Sequence, residues 1–313
     1  MPDCAIDING LKKDFGSVHA VRGIDLCVDA GEIFGLLGPD GAGKTTAIRM
    51  LVGIVDPTGG SGTVLGHDII TQREQIKRRI GYMSQRFSLY GDLTVAENID
   101  YFSEIYEIPL SEKAERREQM LDFSRLHPFV DRLAQDLSGG MRQKLALACT
   151  LMHKPELLFL DEPTTGVDPV SRRDFWRILY QLVADGMTIV VSTPYMDEAE
   201  RCNRIAMMDN GRILKLDTPA NLKRGMTGSL LEILAEPQRE ARAMLSSINI
   251  LDNVQVFGDK LHATTTDAAT AIIEIKRAFD RTSARLIDVR EVSPGLEDVF
   301  VTTIQREHGD GNA

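Results

Sequence analysis

LSGGMRQK, residues 137–144, stands between two halves of a nucleotide site. Upstream lies GPDGAGKTT, residues 38–46, and downstream LLFLDEP, residues 157–163. The upstream stretch fits the pattern G-x-x-x-x-G-K-[ST]. In it Gly38, Gly41 and Gly43 let backbone N–H groups turn inward around phosphate oxygens, and Lys44 reaches the β- and γ-phosphates. The Thr45 hydroxyl ligates magnesium, and Thr46 continues the cradle. The apolar run after residue 156 reads as a strand ending in Asp161, where a carboxylate can hold a hydrated magnesium; Glu162 beside it can polarise an attacking water. A phosphate loop alone says only that a nucleoside triphosphate binds. The LSGG run adds a second phosphate contact. Gly139 and Gly140 carry no side chain to keep a backbone at a distance, and Ser138 is a good N-cap for a helix whose N-terminus faces an anion.

Composition narrows the class. With 36 basic and 46 acidic residues the chain carries a net charge of −10, a poor match to nucleic acid, which needs basic patches to neutralise phosphates. Its 313 residues suit one large domain and one small one, and 43% hydrophobic residues suffice for a sizeable core. The four cysteines (Cys4, Cys27, Cys149, Cys202) are scattered without a CxxC pair, and are expected to be reduced thiols of a cytosolic protein. No apolar run approaches the roughly 18–20 residues of a membrane span, and no signal peptide is expected, so other chains would supply any membrane part.

Along the chain, AIDINGLKKDF and HAVRGIDLCVDAGEIFGLL predict paired strands feeding the Gly-rich loop, with KTTAIRMLVGI continuing as a helix. From about 86 to 136 the pattern turns helical, with Met120, Leu121 and Phe123 opening an apolar face. LLFLD and TIVVS then alternate with helices, as in a parallel sheet covered by helices. The expected division is residues 1–224 and 225–313. The second part reads β-α-β-β-α-β, the order of a small ferredoxin-like α+β domain. Its second helix presents Ile272, Ile275 and Phe279 on one face, with Asp267 as N-cap, and the tail GDGNA is expected to fray.

With LSGG set between the two phosphate motifs, the chain resembles the ATP-binding subunit of an ABC transporter over about residues 5–220. The fold implied is α/β: a P-loop NTPase (ABC ATPase) core with an antiparallel β subdomain and a helical insert, plus the small C-terminal domain. The resemblance implies ATP and Mg2+ as cofactors and a head-to-tail dimer, in which Ser138, Gly139 and Gly140 of one chain cap the γ-phosphate held by the other. Gln85 matches the family's glutamine loop, which touches magnesium, joins Glu162 in catalysis and leads into the insert. LYGDLTVAENI matches the segment that faces the membrane subunit. Phe15 matches the aromatic that stacks on adenine, and Asp168 the aspartate that crosses to the partner's site.

Three positions depart from the family. Pro194, in STPYMDEAE, replaces the switch histidine, removes an N–H and fixes φ. Asp40 stands where Asn or Ser is usual, near the partner's aspartate in a family-like dimer, where two carboxylates would repel. TTGVD replaces the commoner SGLD. With PGLEDVFVTTI resembling the last helix of drug- and lipid-efflux ATPases, the chain is most similar to the first ATPase half of YbhF-like tandem exporters. This implies an ATP-hydrolysing motor at the inner face of the cell membrane, bound to membrane permease subunits. It would pair with a second, intact ATPase or with itself, and its own site would be slow. The competing reading is a soluble ABC-type ATPase not coupled to transport. Such proteins need two cassettes or a long coiled-coil insert, whereas this chain has one cassette and about fifty residues between Gln85 and Ser138.

Overall fold

The computed structural model describes residues 4–86, 89–280 and 282–310. They form two compact units, Met1–Pro219 and Ala220–Ala313. The division falls five residues before the expected one, so that nearly all of the short helix entered through Pro219 groups with the second unit rather than closing the first.

The larger unit opens with β1 (Cys4–Phe15), β2 (Val18–Asp29), β3 (Ile33–Leu37) and α1 (Lys44–Leu51), followed by β4 (Gly59–Val64), β5 (His67–Asp68), α2 (Arg73–Arg79) and β6 (Ile80–Met83). The insert contributes α3 (Val95–Ile105) and α4 (Leu110–Ser124). The chain returns through α5 (Gly139–Leu151), β7 (Leu157–Asp161), α6 (Pro169–Ala184), β8 (Thr188–Thr193), α7 (Met196–Ala199), β9 (Arg204–Asp209) and β10 (Arg212–Asp217). A six-stranded sheet has the order β10-β9-β3-β8-β7-β6, parallel except at the β10 edge. Strands β3, β7 and β8 are buried at every residue, as strands covered on both faces must be. The alternating strands β1 and β2 instead join an antiparallel sheet of order β2-β1-β4-β5. The insert has its own core, built on Val95, Ile99, Leu121 and Leu126, with Met120 packed against it. A reciprocal capping box between Thr94 and Glu97 starts α3.

One expectation is corrected here. Cys4 and Cys27 are not free thiols but a disulfide, with Cα atoms 5.9 Å apart. They are 23 residues apart in sequence, but β1 pairs antiparallel with β2, setting Cys4 opposite Asp29 and Cys27 opposite Asp7. Close CxxC spacing is not the only route to proximity. Cys149 and Cys202 are free and buried, and burial pushes both thiols well up.

The smaller unit runs α8 (Pro219–Arg224), β11 (Ser229–Glu236), α9 (Gln238–Leu245), β12 (Asp252–Phe257), β13 (Lys260–Thr265), α10 (Ala268–Phe279), β14 (Arg285–Val292) and α11 (Leu296–Asp310). Its sheet has the order β12-β13-β11-β14, with antiparallel neighbours throughout. Leu231, Ile233, Leu261 and Ala263 face Ala241, Leu245, Ala271, Ile275 and Phe279, so α9 and α10 cover one face. Asp267 caps α10 by accepting from the Thr270 N–H. Helix α11 extends to Asp310, through the first two residues of the tail expected to fray; the last three lie outside the described residues.

Candidate nucleotide site

The phosphate loop joins the C-terminal end of central strand β3 to α1. Gly43 caps α1 with φ 101°, and a Cβ there would lie 2.5 Å from the Ala20 carbonyl oxygen, so only glycine fits. Lys44 is 4% exposed and donates to the carbonyls of Gly38 (2.7 Å) and Pro39 (2.9 Å). Its Nζ also lies 3.4 Å from Glu162 Oε1.

Asp161 and Glu162 leave the end of β7. Asp161 Oδ1 accepts from the hydroxyls of Thr45 (3.0 Å) and Ser192 (2.6 Å), while Oδ2 is buried without a hydrogen-bond partner. A buried carboxylate oxygen left unpaired is costly. Beside the Thr45 hydroxyl it fits a hydrated cation such as magnesium, and that chemistry is what the Thr45–Asp161 pair can hold. Glu162 has φ 50°, a left-handed conformation that a branched or extended side chain seldom takes and that concentrates at functional sites. Its N–H donates to Ser192, and its Oε2 accepts from Gln85 Nε2 at 2.9 Å.

The predicted residues fall into two groups. Phe15, Asp40, Gly41, Gly43, Lys44, Thr45, Thr46, Gln85 and Glu162 line one cleft of about 710 Å³. Phe15 is 51% exposed, with Lys13 Nζ 4.9 Å from its ring centroid. Sequence reading missed Val18, His19, Arg22 and Asn210 on the same cleft; only the pairing of β1 with β2 and the β9–β10 turn bring them there, and no local pattern marks them. The LSGG residues and Asp168 do not line this cleft. Gly139 lines a second one of about 510 Å³, with Gln85 on both. Ser138 is exposed and caps α5 by accepting from the Met141 N–H at 3.3 Å.

Two glycines of LSGG therefore differ. Gly139 faces nearly open space, but a Cβ on Gly140 would lie 2.4 Å from Ser171 Cβ. Gly140 is buried, and its lack of a side chain lets α5 close onto the first turn of α6. Asp168 caps that turn, accepting from the N–H groups of Val170 and Ser171. Ser171, through its hydroxyl and its N–H, holds the Asp168 carboxyl below the usual carboxylate range. Pro194 follows the last residue of β8, and the Tyr195 N–H donates to Thr193 Oγ1 at 3.0 Å.

Comparisons with known proteins agree with this geometry. The family model described as "ABC transporter" matches residues 21–165. The chain is 39% identical over 306 residues to the "Probable multidrug ABC transporter ATP-binding protein YbhF" of Escherichia coli (strain K12). That match covers 96% of this chain and 52% of the relative, so the chain spans about half its length. It is 36% identical over 312 residues to the "Daunorubicin/doxorubicin resistance ATP-binding protein DrrA" of Streptomyces peucetius, covering 96% of this chain and 92% of that one. Among solved structures, the dimeric post-hydrolysis state of the ATP-binding cassette MJ0796 bound to ADP and Pi matches with a TM-score of 0.62 at 25% identity, covering 68% of this chain and 98% of that one.

Proposed function

Because the chain belongs to the family of ABC transporter ATP-binding subunits, we propose that it is the ATP-hydrolysing motor of an exporter, acting on membrane permease subunits made by other chains. The observation that carries this reading is the convergence at the ends of β3 and β7. Lys44 and Glu162 lie 3.4 Å apart, Gln85 holds the other Glu162 oxygen, and Thr45 joins an Asp161 whose second oxygen has no partner. Lys44 would trade the Gly38 and Pro39 carbonyls for phosphate oxygens. Magnesium, held by Thr45, Asp161 and Gln85, would neutralise charge on those oxygens. Glu162 would take a proton from the attacking water, with Gln85 fixing its orientation. Phe15, exposed at the mouth of the cleft, is available to stack on adenine.

The LSGG residues and Asp168, away from this cleft, suit a head-to-tail dimer in which they complete a partner's site. The structural neighbour MJ0796 is a dimer with ADP and Pi. No helix among the described residues is long and apolar enough to cross a membrane, which accords with attachment to the cytoplasmic face through the permease. Export as the direction draws on the names of the two relatives, one a "multidrug ABC transporter" protein and the other a "daunorubicin/doxorubicin resistance" protein.

Pro194 and Asp40 disturb only the site built on this chain's own Lys44 and Glu162, and Ser138 remains free to serve a partner. The partner is accordingly a second, histidine-bearing ATPase, and this chain's own site binds ATP but turns it over slowly. The test compares two variants in the assembled complex. Ser138→Arg should nearly abolish ATPase activity, while Glu162→Gln should lower it modestly. The reverse ranking would refute the asymmetric arrangement, and a complex with no ATPase activity would refute the motor itself.

A further inference from the structure

Glu198 lies four residues beyond Pro194, in α7, and is 1% exposed. It does not line the nucleotide cleft, and a carboxylate so buried is costly unless it is hydrogen-bonded. Here two hydroxyls bond it and a guanidinium stands close by. Thr164 Oγ1 donates to Oε1, Thr193 Oγ1 donates to Oε2 at 2.7 Å, and the Arg172 Nε lies 3.5 Å from Oε1. Each partner comes from a segment with a role in the site: Thr164 is two residues past Glu162, Thr193 immediately precedes Pro194, and Arg172 is four residues past Asp168. Arg172 also stands over the Tyr195 ring, 4.4 Å from its centroid, and pairs with Asp197 at 3.6 Å.

We propose that Glu198 is a positioning residue for ATP hydrolysis: it fastens the segment after Glu162, the turn at Pro194 and the first turns of α6 into one body, so that the Glu162 carboxylate is set by all three. This rests on the ATPase reading above. The left-handed backbone at Glu162 needs support on both sides, since such a conformation persists only where its surroundings over-determine it. On the N-terminal side, the Ser192 carbonyl and hydroxyl accept from the Glu162 N–H. On the C-terminal side, Thr164 is the anchor, and Glu198 ties it to Thr193, the residue next to Ser192. The end of β8 thus grips the end of β7 twice, once directly through Ser192 and once through Glu198. Both Glu198 carboxylate oxygens are hydrogen-bonded in this buried network, which stiffens it, so loosening one member displaces the rest. Pro194 has no N–H, yet the turn keeps its shape, because Thr193 Oγ1 both accepts from the Tyr195 N–H and donates to Glu198.

The test uses the assembled complex with its partner ATPase, in excess over ATP, reading the slow phase of single-turnover hydrolysis that belongs to this chain's own site and, by calorimetry, ATP affinity. Glu198→Gln should slow hydrolysis about tenfold to 10²-fold, the scale of a small misplacement of a catalytic group, with ATP affinity within about twofold. Thr164→Val, which removes the donor but keeps the shape, should slow it likewise, and Thr164→Ser should recover most of the rate. Combining Glu198→Gln with Thr164→Val should cost no more than either alone. A purely structural role would instead lower the melting temperature while leaving the rate of the surviving folded protein unchanged. If Glu198→Gln does not fold, the Thr164 pair decides by itself. Thr164→Val hydrolysing at the wild-type rate overturns the proposal, while a wild-type chain that neither binds nor hydrolyses ATP overturns it together with the ATPase reading.

Discussion

Replacing Gly140 by alanine should unfasten α5 from α6, and the structure fixes the scale. The new Cβ would sit 2.4 Å from Ser171 Cβ and 2.5 Å from its Oγ. Carbon atoms pack best at about 3.5–4.0 Å, so the overlap exceeds about 1 Å. The Oγ can rotate away, but Ser171 Cβ is fixed to the helix backbone, so a helix must move. An overlap this deep with a backbone-fixed atom falls in the upper part of what overpacking costs, about 2–3 kcal/mol. Gaining alanine for glycine inside a helix returns about 1 kcal/mol, leaving a net loss of about 1–2 kcal/mol. At about 2–4 °C per kcal/mol for a unit of this size, the melting temperature of the larger unit should fall by about 2–8 °C. Gly139→Ala is the control: its Cβ would meet only the Gly166 carbonyl at 3.7 Å, and stability should change by under about 0.5 kcal/mol. Ser171→Gly supplies the decisive arm. Alone it should cost about 0.5–1 kcal/mol as a helix glycine. In the Gly140→Ala background it should restore stability, because it removes the very atoms that clash. Scanning calorimetry on the four proteins reads the cycle. If Gly140→Ala melts with wild type, or if Ser171→Gly is equally costly in both backgrounds, the contact does not explain the glycine.

Three further outcomes are expected. Lys44→Ala removes a buried cation from the phosphate loop, and calorimetry should show ATP binding at least about tenfold weaker, or about 1.4 kcal/mol. Pro194→His should speed single-turnover hydrolysis at the chain's own site by up to about 10²-fold, though the Thr193–Tyr195 bond holds the turn and limits the gain; with Asp40→Asn the joint gain should exceed the product of the two. Burial holds the His153 imidazole below its ordinary 6.5, so the unfolded chain takes up the proton more readily; stability should be complete above pH 6.5 and decline as pH falls below it. Urea midpoints measured against pH should show that decline, and His153→Gln should flatten it.

The sequence made the elements legible where one physical rule dominated. Unbroken apolar runs such as LLFLD gave buried parallel strands, and alternation in AIDINGL gave a sheet partner. Asp267 and Ser138 act as the caps their positions predict. The disulfide was not legible, because it depends on the pairing and bulges of β1 against β2, which no spacing rule encodes. Gly225 is the strong local break that sequence offers, and the division of the chain into two units falls after Pro219, five residues earlier.

At the site, motifs named the residues that would touch a nucleotide but not those that hold them. Lys44, Thr45, Asp161 and Glu162 could be read singly, since phosphate and metal chemistry admits few side chains. Glu198 could not. In STPYMDEAE it is one of three acidic residues within four positions, and solvent exposure is the ordinary expectation for all three. What separates it from Asp197 and Glu200 is helical phase: in α7 it alone of the three turns inward, toward Thr164 and Thr193. The same holds for Gly140, which sequence reading placed with Gly139 as a phosphate contact and the fold places against Ser171. Chemistry that acts on a ligand is written in residue type, and chemistry that holds a residue in place is written in packing. In this chain Pro194 joins the two, because the imidazole that the family resemblance leads one to expect there would belong to the first, and the Thr193–Glu198 bond beside it belongs to the second. A variant that restores only the imidazole therefore tests one half of the site, and the response of Glu198→Gln tests the other.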